Sequence, residues 1–187
     1  MGLMIHSLEM LSSEAKRDYF IYLLDYGWEE PISNSLRQNF SKMADFASKN
    51  DAAIIMGVGE IGHFDNEVLS WHSINGESAE SLLPAILITK TNPHKFREYT
   101  DFRRKSPDDD FDFLLIPLKK ICKTPSDVTS LLQELFLDIK NKQMLTKFSV
   151  KKKLKRGIGR SIVDSIILQP NISGVGIDLK KIFSKEE

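Results

Sequence analysis

The sequence YFIYLLDYGWEEP, residues 19–31, contains the strand and the turn around which the rest of the chain is arranged. Its first six residues are apolar or aromatic without a break, a pattern typical of a strand that is covered on both faces. The turn that follows carries Trp28, Glu29 and Glu30. Pro31 then suits the first turn of a helix, because proline lacks the N–H that a helix start leaves unpaired. We therefore predict a buried strand that ends in a loop and leads directly into a helix.

A helix is predicted after Pro31 because apolar residues recur there every three or four positions and form one face. They are Ile32, Leu36, Phe40, Met43 and Phe46 or Ala47. The apolar run AAIIMG, residues 52–57, predicts a second buried strand. Strand, helix and strand in this order favour a parallel crossover, so we expect an α/β fold. The segment before this unit, residues 2–11, suits either a short helix or an edge strand.

The sequence GVGEIG, residues 57–62, formally matches the GxGxxG fingerprint of dinucleotide-binding proteins. The fingerprint binds a phosphate only where a helix begins at its last glycine. Here the match follows the second strand instead of the first, and residues 63–65 indicate a turn. A glycine-rich loop is therefore the favoured interpretation, with a short helix predicted from Asp65 to His72.

A third strand is predicted in SLLPAILIT, residues 81–89, where Pro84 suits a strand start with either a cis or a trans peptide bond. The polar residues 90–109 are expected to form an unusually long loop. A fourth strand over residues 110–117 would pair antiparallel with the third. The last helix is the best defined, since Thr124 and the proline after it suit its N-cap and first position. Its apolar stripe consists of Val128, Leu131, Leu132, Leu135, Phe136 and Ile139.

The order of these elements, β-α-β followed by β-β-α, resembles that of thioredoxin-like proteins over residues 18–142. In that family a Trp-Cys-x-x-Cys loop joins a strand to its helix, and a proline, usually cis, begins the third core strand opposite this loop. Here the loop begins at Trp28 and contains no cysteine, and Pro84 stands in the place of the proline. The resemblance implies a degenerate active-site loop near Pro84, with Glu29 within reach of that proline. The residues of this predicted site are Trp28, Glu29, Glu30, Pro31 and Pro84.

The resemblance implies an α/β fold, a thioredoxin-like β-α-β … β-β-α sandwich, and the base-rich residues that follow it predict a basic C-terminal extension. We expect residues 1–142 to form the thioredoxin-like domain and residues 143–187 to form the extension. A doubly wound, flavodoxin-like sheet is the alternative architecture. It is disfavoured because no helix of convincing length separates the third predicted strand from the fourth.

Composition limits the classes of protein to which the chain can belong. Hydrophobic residues make up 41% and charged residues 28%, which is typical of a soluble globular chain. Since 26 acids balance 26 bases, net charge indicates no partner. Cys122 is the only cysteine, which excludes a disulfide framework and favours a reducing compartment, taken as the cytoplasm. No basic signal-peptide region and no membrane-length apolar run is present.

Candidate chemistry is weak throughout the chain. The densest set of metal-capable side chains consists of His63, Asp65, Glu67 and His72. Their spacing matches no helical ligand pair, so neither a metal nor another cofactor is expected. Glu29 and Glu30 would support acid–base chemistry only if burial raised a pKa, and they are better explained as acids that complement a helix dipole. Cys122 has no second cysteine for dithiol exchange and is interpreted as structural.

The strongest charge asymmetry lies between residues 140 and 160, where nine bases occur without an acid. The bases are Lys140, Lys142, Lys147, Lys151, Lys152, Lys153, Lys155, Arg156 and Arg160. Such a segment would bind nucleic-acid phosphates, an anionic membrane surface or an acidic protein, or would serve as a solvated linker. Among these bases stands one aromatic residue, Phe148, whereas single-stranded nucleic acid favours several.

A helix predicted after these lysines has Ile158, Ile162 and Ile166 on one side, and this apolar side requires a partner. We expect a protein partner or a second copy of the chain to bind it. The charged residues at the rim of this contact would be Lys151, Lys152, Lys153, Arg156 and Arg160. The chain is therefore interpreted as a non-catalytic binding or assembly module of a bacterial multi-protein complex. The alternative is a nucleic-acid-associated protein, or an enzyme of unread chemistry, that uses residues 140–160.

Overall fold

One five-stranded mixed sheet forms the centre of the molecule, seen in a computed structural model that describes residues 1–26, 30–59, 62–72, 74, 82–100 and 113–141. Residues 98–100 are described by their backbone. The strands are β1 (Gly2–Ile5), β2 (Tyr19–Leu24), β3 (Ala52–Gly57), β4 (Ala85–Thr89) and β5 (Phe113–Pro117). The α-helices of the described residues are α1 (Pro31–Gln38), α2 (Phe40–Lys49), α3 (His63–Trp71), α4 (Pro93–Thr100), α5 (Leu118–Ile121) and α6 (Pro125–Lys140). A short 3₁₀ helix spans Leu8–Met10.

The strands lie in the order β1-β3-β2-β4-β5. β3 pairs in parallel with both β1 and β2, whereas β4 is antiparallel to β2 and β5 is antiparallel to β4. The predicted α/β class is confirmed, and so is the antiparallel pairing of the third and fourth predicted strands, which are β4 and β5. These two antiparallel pairs differ from the parallel sheet of the doubly wound alternative.

β2 is buried along its whole length, as its unbroken apolar sequence predicts. Successive side chains of a strand point to opposite faces of the sheet. Tyr19, Ile21 and Leu23 therefore enter a hydrophobic core with α1, α2 and α6. Phe20 and Tyr22 enter a second core on the other face, together with α3 and the 3₁₀ helix. Both faces of the strand are covered by helices.

Residues 2–11 form a strand and a helix in succession. β1 is the edge strand beside β3, and the N-terminal ammonium of Met1 donates a hydrogen bond to the carbonyl of Ala52 at 2.6 Å. The 3₁₀ helix follows, and its N-cap residue Ser7 accepts a hydrogen bond from the N–H of Glu9 at 3.1 Å. The edge strand and the short helix, the two alternatives for this segment, are thus both present in different parts of it.

The helix predicted after Pro31 is divided at Asn39 into α1 and α2. Nδ2 of Asn39 donates to the carbonyl of Ser35 at 2.8 Å, and the backbone N–H of Asn39 donates to the same carbonyl at 3.2 Å. Side chains of this type compete with the backbone for helix hydrogen bonds and disfavour a helix interior. The apolar face continues across the break, since Leu36 and Met43 are both buried.

α3 begins at His63, so the prediction of a turn over residues 63–65 is wrong. The assignment of the helix cap to Asp65 is also wrong, because the N-cap residue is Gly62. Gly62 has a φ of 77°, a left-handed conformation that glycine adopts without strain. The sequence therefore predicted the helix but placed its start two residues too late.

α4 occupies the first part of the segment that was expected to be a long loop, so that expectation is wrong for residues 93–100. Oδ1 of Asn92 accepts a hydrogen bond from the N–H of His94 at 3.0 Å at the start of the helix. Nδ2 of Asn92 donates to the carbonyls of Ser12 and Ala15, each at 3.0 Å. Contacts with a distant part of the chain therefore hold this helix start. Residues 101–112 lie outside the described residues.

α6 agrees in every respect with its prediction. The N–H of Asp127 donates to Oγ1 of Thr124 at 3.3 Å, and the N–H of Thr124 donates to Oδ2 of Asp127 at 2.8 Å, which completes a capping box. The predicted stripe faces the core, with Phe136 partly buried against Phe46 at a ring-centroid distance of 4.5 Å. In the described part of the chain, none of the helices combines the length and the hydropathy that a membrane crossing requires.

Replacing Thr124 with alanine is expected to lower the free energy of unfolding by about 1 kcal/mol, because the N–H of Asp127 loses its side-chain acceptor. Urea denaturation followed by far-UV circular dichroism measures the change. Ser130→Ala, an exposed substitution in the same helix, is the matched control and should change stability by less than about 0.5 kcal/mol. Equal effects of the two substitutions would contradict the role assigned to the cap.

Candidate functional site

The candidate site lies at the end of the sheet where β2 finishes and β4 begins. Both strands are central in the sheet, and this end of the pair is here called the β2–β4 edge. Leu24, the last residue of β2, pairs with Ala85, the first residue of β4. Pro84 directly precedes β4, and the peptide bond between Leu83 and Pro84 is cis. Its carbonyl accepts a hydrogen bond from the N–H of Leu118 at 2.9 Å. The end of β2, Pro84 and the start of α5 are therefore neighbours.

Glu30 and Pro31 reach the same edge from the loop after β2. Pro31 is the first residue of α1, as predicted, and Glu30 is the N-cap residue. The Glu30 side chain makes no capping hydrogen bond, and its Oε1 instead accepts one from Nζ of Lys119 at 3.0 Å. This ion pair links the loop to α5 beside Pro84. Trp28 and Glu29 lie outside the described residues, so the approach of Glu29 to Pro84 stays a prediction.

Two carboxyl groups and a guanidinium lie close together at the β2–β4 edge. Oδ2 of Asp25, the residue after β2, lies 2.8 Å from Nη2 of Arg37 in α1. The backbone N–H of Asp25 donates to Oδ1 of Asp65, in the first turn of α3, at 2.9 Å. The side chain of Asp25 is 5% exposed and that of Arg37 is 39% exposed. The base therefore reaches solvent while both acids are buried.

Burial, with a smaller contribution from the carboxylate of Asp25, raises the pKa of Asp65 to about 6. The hydrogen bond from the N–H of Asp25 and the positive charge of Arg37 act in the opposite direction. Desolvation is the larger effect because a buried carboxylate loses its hydration. Carboxyl groups with raised pKa values cluster at functional sites, and structural ion-pair networks also produce them.

Sequence analysis did not identify Asp25 or Arg37, and it considered Asp65 only as a helix cap and a metal ligand. The local sequence pattern that could have indicated Asp25 as a site residue is its position directly after a fully apolar strand. The partner of Asp25 lies 40 positions away in the sequence, so no local pattern connects the two acids. The tertiary fold alone brings them together.

Two glycines beside this edge allow close packing of aromatic rings. Gly59 has a φ of 103°, and a Cβ added to it would lie 2.6 Å from Nδ1 of His6. A Cβ added to Gly62 would collide with the ring of Tyr26. Although α3 begins directly after the last glycine of the GxGxxG match, the two rings fill the space beside these glycines. Packing is therefore favoured over phosphate binding as the reason for the glycines.

The four metal-capable residues of the sequence have separate roles or positions. Glu67 accepts hydrogen bonds from Oγ of Ser7 at 2.8 Å and from the N–H of Leu8 at 2.7 Å, which ties α3 to the 3₁₀ helix. Asp65 binds the N–H of Asp25, and His63 is exposed at the start of α3. Among the residues that the structure describes, no group of three or more potential ligands converges on one point.

His72, the fourth of these residues, is a core side chain. It is fully buried, and its ring meets that of Tyr22 edge-on at a centroid distance of 5.3 Å. Burial lowers the pKa of His72 to about 4, so its imidazole is neutral at physiological pH. Nδ1 lies 2.7 Å from the carbonyl of Val68 and therefore carries the proton that makes this hydrogen bond.

Cys122 is buried against the same core as α6, on the face of the sheet that contacts α1 and α2. Burial, together with the charge of Asp127, raises the pKa of its thiol to about 12. The nucleophilic form of cysteine is the thiolate, so this thiol is unreactive at physiological pH. The position and the pKa agree with the interpretation of Cys122 as a structural residue.

Comparison of the chain with protein-family models, with curated proteins and with solved structures finds no match in any of the three. The site is therefore interpreted from its own residues. The residues predicted to bind a partner lie outside the described residues, as does the predicted C-terminal extension, residues 143–187. They are Lys151, Lys152, Lys153, Arg156, Ile158, Arg160, Ile162 and Ile166.

Asp65 and His72 are expected to make opposite contributions to stability between about pH 4 and 6.5. Asp65 has a raised pKa in the folded state, so its contribution falls as pH rises toward about 6. His72 has a lowered pKa, so its contribution falls as pH drops from about 6.5 toward 4. Each shift is about two pKa units, equivalent to roughly 3 kcal/mol, and the two effects largely cancel.

Single substitutions should reveal the separate effect of each residue on how the free energy of unfolding changes with pH. In Asp65→Asn the free energy of unfolding should rise with pH more steeply than in the wild type, whereas in His72→Phe it should fall. Urea denaturation at half-unit pH intervals measures both slopes. Asp45→Asn, a change at an exposed acid of α2, is the control and should follow the wild-type curve. Slopes of the same sign in the two core variants would contradict the assignment.

Proposed function

We propose that this chain is a non-catalytic, thioredoxin-like binding module that engages a protein partner at the β2–β4 edge. The observation that carries the proposal is the convergence of three segments there. Glu30 at the end of the loop pairs with Lys119, and Leu118 donates to the carbonyl of Pro84. This is the position at which a thioredoxin-like protein would place its loop and its proline opposite each other.

The arrangement of elements supports the thioredoxin-like part of the proposal. β2, the helices α1 and α2, and β3 form a parallel β-α-β unit, and the antiparallel strands β4 and β5 with α6 form the β-β-α half. Pro84 directly precedes β4, the third strand of this order. Two helices depart from the simple order, α4 between β4 and β5 and α5 between β5 and α6. α4 packs on α3.

The chemistry of the edge supports a binding role. In the segment from Trp28 to Ile32, Glu29 and Ile32 stand where the family has its two cysteines, and the chain's single thiol is buried elsewhere with a raised pKa. A fold can be retained while the chemistry of its site is replaced. The edge has a proline on each side, two ion pairs and two buried acids, a set that suits recognition of another chain.

The C-terminal extension supplies the charge for this association. Residues 143–187 contain ten bases and four acids, a formal charge of +6 in a chain whose total is zero. An acidic protein surface would be steered toward such a segment, and the contact would weaken with salt. Ile158, Ile162 and Ile166 would form the apolar part of the contact, with Lys151, Lys152 and Lys153 at its rim.

The first prediction of this proposal is that the protein catalyses no thiol–disulfide exchange. Reduction of insulin by dithiothreitol, followed by turbidity, should proceed at the uncatalysed rate because no thiol lies in the loop from Trp28 to Ile32. Cys122→Ser should behave identically to the wild type. Turnover above the background that is lost in Cys122→Ser would contradict the proposal.

The second prediction concerns the extension. Deletion of residues 151–187 should shift the thermal midpoint of the remaining domain by less than about 4 °C, because this segment is proposed to contribute contacts only with a partner. Co-purification from the native host should yield a stoichiometric protein partner with the full chain and none with the deletion. The matched variant Ile158→Asp should lose the partner while keeping all the lysines.

Two outcomes would overturn this reading of the extension. Unfolding of the deleted chain would show that the isoleucines belong to the core of the domain. Co-purified material with an absorbance maximum near 260 nm would instead support a nucleic-acid-associated protein that uses residues 140–160.

A further inference from the structure

We propose that two copies of this chain associate by pairing their β1 strands antiparallel about a two-fold axis, which joins two five-stranded sheets into one continuous sheet. The contact lies at the β1 edge, a name used here for the side of β1 that faces away from β3. It goes beyond the proposed function, because β3 separates β1 from β2 and from the β2–β4 edge.

The backbone of β1 has unpaired hydrogen-bonding groups at this edge. The carbonyls of Met1 and Ile5 accept hydrogen bonds from β3 and from the residue directly after it, at 2.8 and 3.0 Å. Since the backbone groups of successive residues in a strand point to opposite sides, the N–H and C=O groups of Gly2 and Met4 point away from β3. In the part of the chain that the structure describes, no strand pairs with this side of β1. These groups are therefore available to a strand of another molecule.

β1 also lacks the residues that usually protect an edge strand from pairing. Exposed edges commonly carry charged side chains or prolines, which prevent another strand from adding to the sheet. The sequence of β1, GLMI, contains neither. β5, at the opposite side of the described sheet, ends in Pro117, which has no N–H to donate. Of these two edge strands, β1 is therefore the one that can pair along its whole length.

The symmetry of a dimer and the length of β1 together determine the register of the pairing. A two-fold axis relates the two strands in opposite directions, and a residue that lies on the axis meets its own copy. With Leu3 on the axis, Gly2 of one copy lies opposite Met4 of the other, and the two residues exchange both of their backbone hydrogen bonds. This register uses every unpaired backbone group of Gly2 and Met4 and requires no residue outside β1.

The side chains are complementary in this register. Met4 is 54% exposed, although Met56, its partner in β3, packs against the core. On the same face, a Cβ added to Gly2 would collide with the side chain of Ala44 and lie 3.4 Å from the ring of Phe40. Opposite residues of antiparallel strands carry their side chains on one face, so Met4 of one copy covers Gly2 of the other. Its thioether then contacts Phe40 and Ala44 of α2, which are both partly exposed in a single copy.

The surface beside this register is uncharged, as a symmetric contact requires. Residues near a two-fold axis meet their own copies, so a charge there would face a like charge. The helical repeat places Ser41 and Ser48 next to Ala44 on the side of α2 that faces away from α6, and both serines are exposed. Asp45 and Lys49 lie further around the helix and pair with each other at 2.8 Å.

The size of a stable interface requires this side of α2 as well as the strand. Specific interfaces bury about 800 Å² on each partner, which is more than a strand of four residues supplies. The uncharged side of α2 and the exposed Met4 provide the additional apolar and small surface. A second copy of the chain is therefore the partner that this edge fits.

The test uses the full chain and measures its mass by sedimentation velocity at concentrations from about 1 to 200 μM. We expect the wild type to change with concentration from the mass of one chain to twice that mass. Met4→Lys should weaken the dimer at least about tenfold, because each copy brings a charge to the uncharged edge. Met4→Pro should weaken it similarly, because the N–H that proline lacks is one that pairs only between copies.

Two further variants are matched controls. Met10→Lys makes the same replacement at a methionine that is 63% exposed in the 3₁₀ helix, which packs on α3 and α4, and it should leave the dimer unchanged. Met4→Leu keeps an apolar side chain at the edge and should retain the dimer. Far-UV circular dichroism should show that all four variants fold, since both methionines lie at the surface.

Leu3→Cys tests the register. Two residues that face each other on the axis of an antiparallel pair lie within the distance that a disulfide spans. Oxidation should therefore link two copies of Leu3→Cys, and dithiothreitol should separate them on a denaturing gel. Met10→Cys should form no such link. Cys122 is buried and is common to all the variants.

A wild-type protein that sediments as a single chain at every concentration would overturn the proposal. So would a dimer that persists in both Met4→Lys and Met4→Pro, or one that only Ile158→Asp disrupts. None of these results bears on the partner proposed for the β2–β4 edge, which is detected by co-purification.

Discussion

Burial of β2 on both faces is the constraint on which the rest of the structure depends. A strand of six apolar residues loses water on both sides only if helices cover each face of the sheet. The alternation of its side chains divides them between two cores, one formed with α1, α2 and α6 and the other with α3 and the 3₁₀ helix. The neighbouring strands and every covering helix are therefore positioned relative to this one strand.

The same constraint creates the chemistry of the site. Where the apolar strand ends, Asp25 follows at once and is still buried, so its carboxylate requires compensation from within the protein. Arg37 provides the charge, and Asp65 receives the backbone N–H, but the second acid is then buried as well. The pKa of Asp65 is raised mainly by this burial, with a smaller contribution from the carboxylate of Asp25.

The proposed relation to thioredoxin-like proteins concerns the backbone scaffold and not the chemistry of the site. The chain keeps a proline before β4 and another at the start of α1, positions that shape the backbone at this edge. The loop between β2 and α1, residues 25–30, contains three acids and no cysteine. The ion pair between Glu30 and Lys119 ties the loop to α5.

The sequence by itself determined the elements whose signals are local. The buried strands β2 and β3, the capping box at Thr124 and the apolar stripe of α6 follow from side-chain periodicity and from hydrogen bonds between residues three apart. Only the tertiary structure decided that a helix follows β4 and that Asp25 and Asp65 meet. Asn92 reaches carbonyls 77 and 80 positions away, and Asp65 reaches Asp25 across 40. Burial and pairing over such separations depend on how the chain packs, and no local pattern of residues records them.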